Sequence, residues 1–130
     1  MRIQYKSELH TKPVPRDTKA KWLKKDTDKV ALVMDFTVLV DGIAITVPKG
    51  YITDGSSIPR IFWRIYNPWY TEARRGSCVH DYIYSHLHII FSKDFADAAL
   101  REMMILDGAS EFTAYAFYKA VKWFGKGGWT

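Results

Sequence analysis

Between Val30 and Val47, apolar and polar residues alternate along two runs separated by a single break. Leu32, Met34, Phe36, Val38 and Val40 take every second position, Asp41-Gly42 interrupts, and Ile43, Ile45 and Val47 resume the period on the return. A period of two belongs to a strand with one buried face. Asp-Gly is a preferred two-residue hairpin turn, because both of its central positions need positive φ. A loop of that length pairs Val40 with Ile43, Val38 with Ile45 and Phe36 with Val47, all on one face. Residues 30–50 therefore read as a β-hairpin.

The period then lengthens. Glu72 to about Leu87 reads as a helix that packs closely through Ala73, Cys78 and Val79. Ser92 to Leu106 is a second helix, with Ser92 as cap, Asp94 in its first turn and Gly108 after its end. Its predicted core stripe is Phe95, Ala99, Met103 and Leu106, with Asp97 off the stripe's centre. A third helix runs from Glu111 to Phe124, capped by Ser110 and stopped at Gly125, with Phe112, Tyr115, Ala116, Val121 and Phe124 as its buried side. Before the hairpin, residues 1–29 form a polar arm. Ile3 and Tyr5 alternate there with polar neighbours, so a short strand fits, and Pro13 and Pro15 favour an edge or an extended path. Trp22 and Leu23 pin the arm to the core. The sum is one α+β domain over residues 1–130: an N-terminal antiparallel hairpin or small sheet packed against about three C-terminal helices.

The stretch between hairpin and helices, Tyr51 to Tyr84, carries the polar chemistry. Thr53-Asp54-Gly55-Ser56-Ser57-Ile58-Pro59-Arg60 suits a turn that leads into a short helix, with hydroxyl caps ahead of a proline. His80-Asp81-Tyr82-Ile83-Tyr84 puts an imidazole, a carboxylate and two phenols within about one turn, and the i,i+4 spacing gives His80 and Tyr84 a common face. Trp63, Tyr66, Trp69 and Tyr70 form an aromatic group that packs beneath a loop or stacks a ligand.

Composition narrows the classes. Charged residues make up 25%, hydrophobic residues 48% and aromatic residues 15% of the chain. No apolar run reaches the roughly 20 residues of a membrane-spanning helix, and no secretory signal pattern opens the chain, so the expected location is the cytoplasm of the cell that makes it. One cysteine, Cys78, allows neither an internal disulfide nor a cysteine cage for zinc. The net charge of +5 comes largely from the first thirty residues, where Asp17, Asp26 and Asp28 are interspersed with the lysines. That pattern fits a solvated surface better than a nucleic-acid footprint.

The run TDGSSIPRIFW, then HDYIY, then Phe95-Ala96-Asp97, then Ala120-Val121-Lys122-Trp123-Phe124-Gly125 resembles the phage and prophage family called domain of unknown function 1353. The resemblance covers about Val47 to Gly125. It implies a bacteriophage or prophage origin and marks Asp54, His80, Asp81 and Asp97 as motif positions. It implies no reaction, since the family carries no established activity.

Three chemistries compete for these residues. His80, Asp81, Asp54 and Asp97 offer nitrogen and oxygen donors that suit a divalent metal, zinc or manganese, able to activate water. Without a metal, His80 oriented by a carboxylate (Asp81 or Asp54) takes a proton from Ser56, Ser57 or water in a hydrolase acting on a host or cell-wall substrate. Arg60, Trp63 and Tyr84 would then bind that substrate. In the third reading the same side chains satisfy one another as a structural clasp, within a non-catalytic protein that binds a virion or host protein. All three place the Asp54 loop and the His80 helix around one hollow.

Overall fold

The structure, a computed structural model, describes residues 1–14, 29–53, 67 and 69–125. Strands β1 (Ile3–Tyr5), β2 (Thr11–Pro13), β3 (Val30–Leu32), β4 (Phe36–Val40), β5 (Ile43–Val47) and β6 (Ile52–Thr53) precede helices α1 (Arg74–His86), α2 (Lys93–Leu106) and α3 (Glu111–Phe124). The arrangement is α+β, with two three-stranded antiparallel sheets ordered β1-β4-β5 and β2-β3-β6.

The hairpin forms in the expected register: Phe36 opposite Val47, Val38 opposite Ile45 and Val40 opposite Ile43. Asp41 and Gly42 both take positive φ, 51° and 82°, as a primed turn requires. The Asp41 side chain also accepts the backbone N–H of Arg2 at 2.7 Å, which holds β1 against β4. Phe36, Val38, Val40, Ile45 and Val47 are buried, whereas Ile43 beside the turn is 47% exposed because the hairpin tip lies beyond its cover.

The first half of the alternation differs from a single strand. Leu32 belongs to β3 in the second sheet, Phe36 to β4 in the first, and Met34 lies exposed in the corner between them. The corner is fixed by Val33 N–H bonding to His10 O at 2.9 Å and Lys49 N–H bonding to Asp35 Oδ1 at 2.7 Å. Because Leu32 and Phe36 are an even number of residues apart, the turn leaves the parity of the pattern intact. The N-terminal stretch is also more ordered than an arm: β1 pairs with β4, and β2 pairs with β3 at a sheet edge that tolerates Pro13. Trp22 and Leu23 lie outside the described residues.

Ser92 and Ser110 cap α2 and α3 by accepting the N–H of Phe95 and Thr113. One core cluster fills the space between the hairpin and helices α1 and α2, joining Phe36, Val38 and Val47 to Val79, Ile83 and Met103. A second joins α2 and α3 through Leu100, Met104, Ala114, Phe117 and Val121. Two helix faces depart from expectation. α2 packs against both α1 and α3, so its buried face is broad and includes Asp97; Phe95 is half-buried and Leu106 exposed. α3 turns Ala114, Phe117, Ala120 and Val121 inward and leaves Phe112, Tyr115 and Phe124 exposed. That inward face sets Phe117 and Val121 against Leu100 and Met104 of α2, with the small Ala114 and Ala120 beside them. Among the described residues no helix is long and apolar enough to cross a membrane.

Candidate functional site

Consecutive α-helical residues point about 100° apart. His80 and Asp81 therefore enter two different polar networks, one on each side of α1. Both residues are buried.

The first network centres on Asp97, drawn into the core among Ala96, Ala99 and Leu100. Its Oδ1 meets His80 Nε2 at 2.7 Å and accepts the Tyr84 hydroxyl at 2.7 Å, while Oδ2 accepts from Lys93 Nζ at 2.7 Å. The Lys93 ammonium also donates to the carbonyls of Val121 (2.8 Å) and Lys122 (3.2 Å), at the C-terminal end of α3 where cations are favoured. Four side chains thus tie α1, α2 and the end of α3 together. Burial pushes the Asp97 carboxyl up, but the hydrogen bond and charge of His80, with the bonds from Lys93 and Tyr84, together hold it below the ordinary carboxylate range. An ionised Asp97 only accepts, so His80 carries its proton on Nε2. Burial, and then the bond to Asp97, keep the Tyr84 phenol well above its usual value, so it stays a donor. His80 Nδ1 is buried and has no hydrogen-bond partner among the described residues.

Gly125 completes this corner. A Cβ there would lie 2.6 Å from Val121 O and 2.8 Å from the Tyr84 hydroxyl oxygen, so only glycine lets the chain leave α3 across Tyr84.

The second network centres on Asp81. Its Oδ2 accepts from the Thr53 hydroxyl in β6 and, at 3.4 Å, from the Tyr51 hydroxyl. Tyr51 also contacts Ser85 Oγ at 3.2 Å, and Ser85 donates to Asp81 O at 2.9 Å. The Tyr51 ring meets Tyr82 edge-on at 5.1 Å, and Tyr82 stacks on His86 at 5.0 Å. Burial, then the Asp81 charge, raise the Tyr51 phenol. β6 is therefore fastened to α1 at the residue next to His80.

The sequence-predicted positions divide as follows. The structure brings His80, Tyr84 and Asp97 together and sets Asp81 apart with Thr53 and Tyr51. Asp54, Ser56, Ser57, Arg60 and Trp63 lie outside the described residues. Of the four expected metal donors, His80 and Asp97 meet directly, Asp81 faces the other network, and Asp54 lies outside the described residues; Asp97 accepts from three donors, one of them an ammonium. Among the described residues no group of three His, Cys, Asp or Glu side chains is placed to share an ion. Cys78 is buried, and its thiol is pushed up to about 12, first by burial and then by Asp81, so it carries no thiolate at neutral pH. Of the expected aromatic group, Trp69 and Tyr70 alone are described. A cavity of about 110 Å³ lies beside Trp69, lined also by Thr11, Thr53, Arg74 and Cys78, and it does not reach His80 or Asp97.

Lys93 and Ser85 are partners that the sequence reading passed over. Lys93 and Asp97 are four apart, and so are Asp81 and Ser85; that spacing on a helix was the available signal.

A family model described as a protein of unknown function (DUF1353) matches residues 30–121, well over half of the chain. No curated protein and no solved structure matches the chain.

Proposed function

The chain belongs to the family of proteins of unknown function known as DUF1353, and from that premise we propose a phage-encoded, non-catalytic binding protein of the virion or the host surface. In it the motif residues act as a structural clasp. The observation that carries this reading is the burial of the His80–Asp97 pair, whose side chains are 0% and 1% exposed. A carboxylate with three donors and an imidazole sealed beside it present no exposed face to a substrate. Buried polar groups satisfied in this way fix one packing of the elements they join.

The phage assignment rests on the motif pieces TDGSSIPR, HDYIY and Phe95-Ala96-Asp97 in their order along the chain. The test is chemical denaturation of His80→Ala and Asp97→Asn beside elemental analysis of the wild type. The clasp predicts no stoichiometric metal and a loss of about 1–3 kcal/mol for each broken buried hydrogen bond. Variants as stable as wild type overturn it.

One observation favours a second reading, a hydrolase acting on a host or cell-wall substrate. His80 Nδ1 lacks a partner among the described residues while Nε2 is oriented by a carboxylate, which is the posture of a general base. That reading predicts an activity lost in His80→Ala with stability unchanged.

A further inference from the structure

The clasp brings two exposed apolar stretches to one end of the molecule. Ile89 and Ile90, in the loop between α1 and α2, are 90% and 70% exposed. Lys93, one turn later, is bonded to the carbonyls of Val121 and Lys122, so the loop lies beside the last turn of α3. Trp123 projects from that turn and is 69% exposed. From it an outward stripe runs back along α3 through Lys119 and Tyr115 to Phe112, on the side opposite the buried Ala114, Phe117 and Val121. Cations edge the stripe: Lys119 Nζ lies 5.3 Å from the Tyr115 ring and 5.7 Å from Trp123, Arg101 lies 5.5 Å from Tyr115, and Lys122 lies 5.7 Å from Tyr118.

We propose that this end docks on an anionic lipid surface, with Ile89, Ile90 and Trp123 entering the interfacial layer and Lys119 and Lys122 facing the head groups. Three observations select lipid over a folded partner. The aliphatic side chains project from a loop rather than lining a groove, and a fluid surface receives them without a matching cavity. Aliphatic tip, tryptophan and flanking lysines are together the composition of an interfacial anchor, in which lysine stems lie along the apolar surface while their ammonium groups reach out. The stripe's own cations, Lys119, Lys122 and Arg101, complement an anionic leaflet, and they outnumber Asp94, exposed in the first turn of α2. Unstacked bases also favour aromatic–cation stripes, but Ile89 and Ile90 have no role in stacking.

The proposal names the surface for the binding-protein reading and rests on it only in that respect. None of the residues varied in its test, Ile89, Ile90 and Trp123, belongs to the clasp, so denaturation and vesicle binding fail separately.

The test is co-sedimentation of the full chain with vesicles of phosphatidylcholine alone and of equal parts phosphatidylcholine and phosphatidylglycerol. Wild type, the double variant Ile89→Ser/Ile90→Ser, and Trp123→Ala are compared, with circular dichroism as the folding control. The expected result is binding to the anionic vesicles alone, weakened by added salt and reduced at least roughly tenfold in each variant. Wild type left in the supernatant with both vesicles overturns the proposal. So does binding that the variants leave intact, which would place the contact elsewhere on the basic chain. Self-association abolished by the same substitutions, without vesicle binding, overturns it in favour of a second copy of the chain.

Discussion

His80 and Asp81 are neighbours in the chain but serve different sides of α1: His80 holds Asp97 on α2, and Asp81 holds Thr53 on β6. One dipeptide therefore fastens the helix to both a second helix and the second sheet. This accounts for an adjacent imidazole and carboxylate without asking either to react, and it makes each network separately breakable.

Replacing Asp97 with Asn keeps the shape and removes the charge. The Lys93 ammonium, 25% exposed, then loses its counter-ion beside a buried imidazole. The expected loss is about 3–5 kcal/mol, the usual cost of breaking a buried ion pair from one side, read by urea denaturation.

The pH dependence follows from the same carboxyl. Its folded-state pKa is depressed, so its contribution is present above the ordinary value of about 3.9 and is lost as pH falls through that value toward the lower folded one. Stability of the wild type measured from pH 6 downward should fall more steeply than that of Asp97→Asn over this window. Parallel curves would show that Asp97 titrates normally.

Tyr84→Phe removes one donor to Asp97 without altering packing, and about 1–2 kcal/mol should be lost. Gly125→Ala reaches the same corner from the other side. A Cβ at 2.8 Å from the Tyr84 hydroxyl oxygen and 2.6 Å from Val121 O forces the chain off its path, with an expected cost of about 1–3 kcal/mol. Thermal or urea midpoints check both.

Cys78 offers a test of core integrity. Buried, with its thiol pushed up to about 12, it should resist a thiol reagent in the native state and react at once in denaturant. Rapid labelling of the native protein would contradict the placement of α1 against the hairpin.

Much of the fold was legible. Alternation about Asp41-Gly42 specified the hairpin to the residue, because a two-residue turn leaves one register. Ser92 and Ser110 marked two helix starts through their hydroxyls. The corner at Met34 was not legible, since an even-numbered spacing keeps the parity across a turn. Nor was the inward face of α3, where Ala114, Phe117, Ala120 and Val121 take the contact and Phe112, Tyr115 and Phe124 are left outside. Of the candidate site, His80 and Tyr84 stood out by type and spacing and Asp97 by the family resemblance, and the three do meet. What sequence could not supply was Asp97's depth in the core or its bond to Lys93, because both depend on how α2 sits between two other helices.

The most direct measurement is a double-mutant cycle on His80 and Asp97, with the stability of wild type, His80→Ala, Asp97→Ala and the double variant read by urea denaturation. The clasp predicts that both single variants are destabilised and that the two residues are coupled by about 1–3 kcal/mol. Single variants as stable as wild type, or losses that simply add, would contradict it.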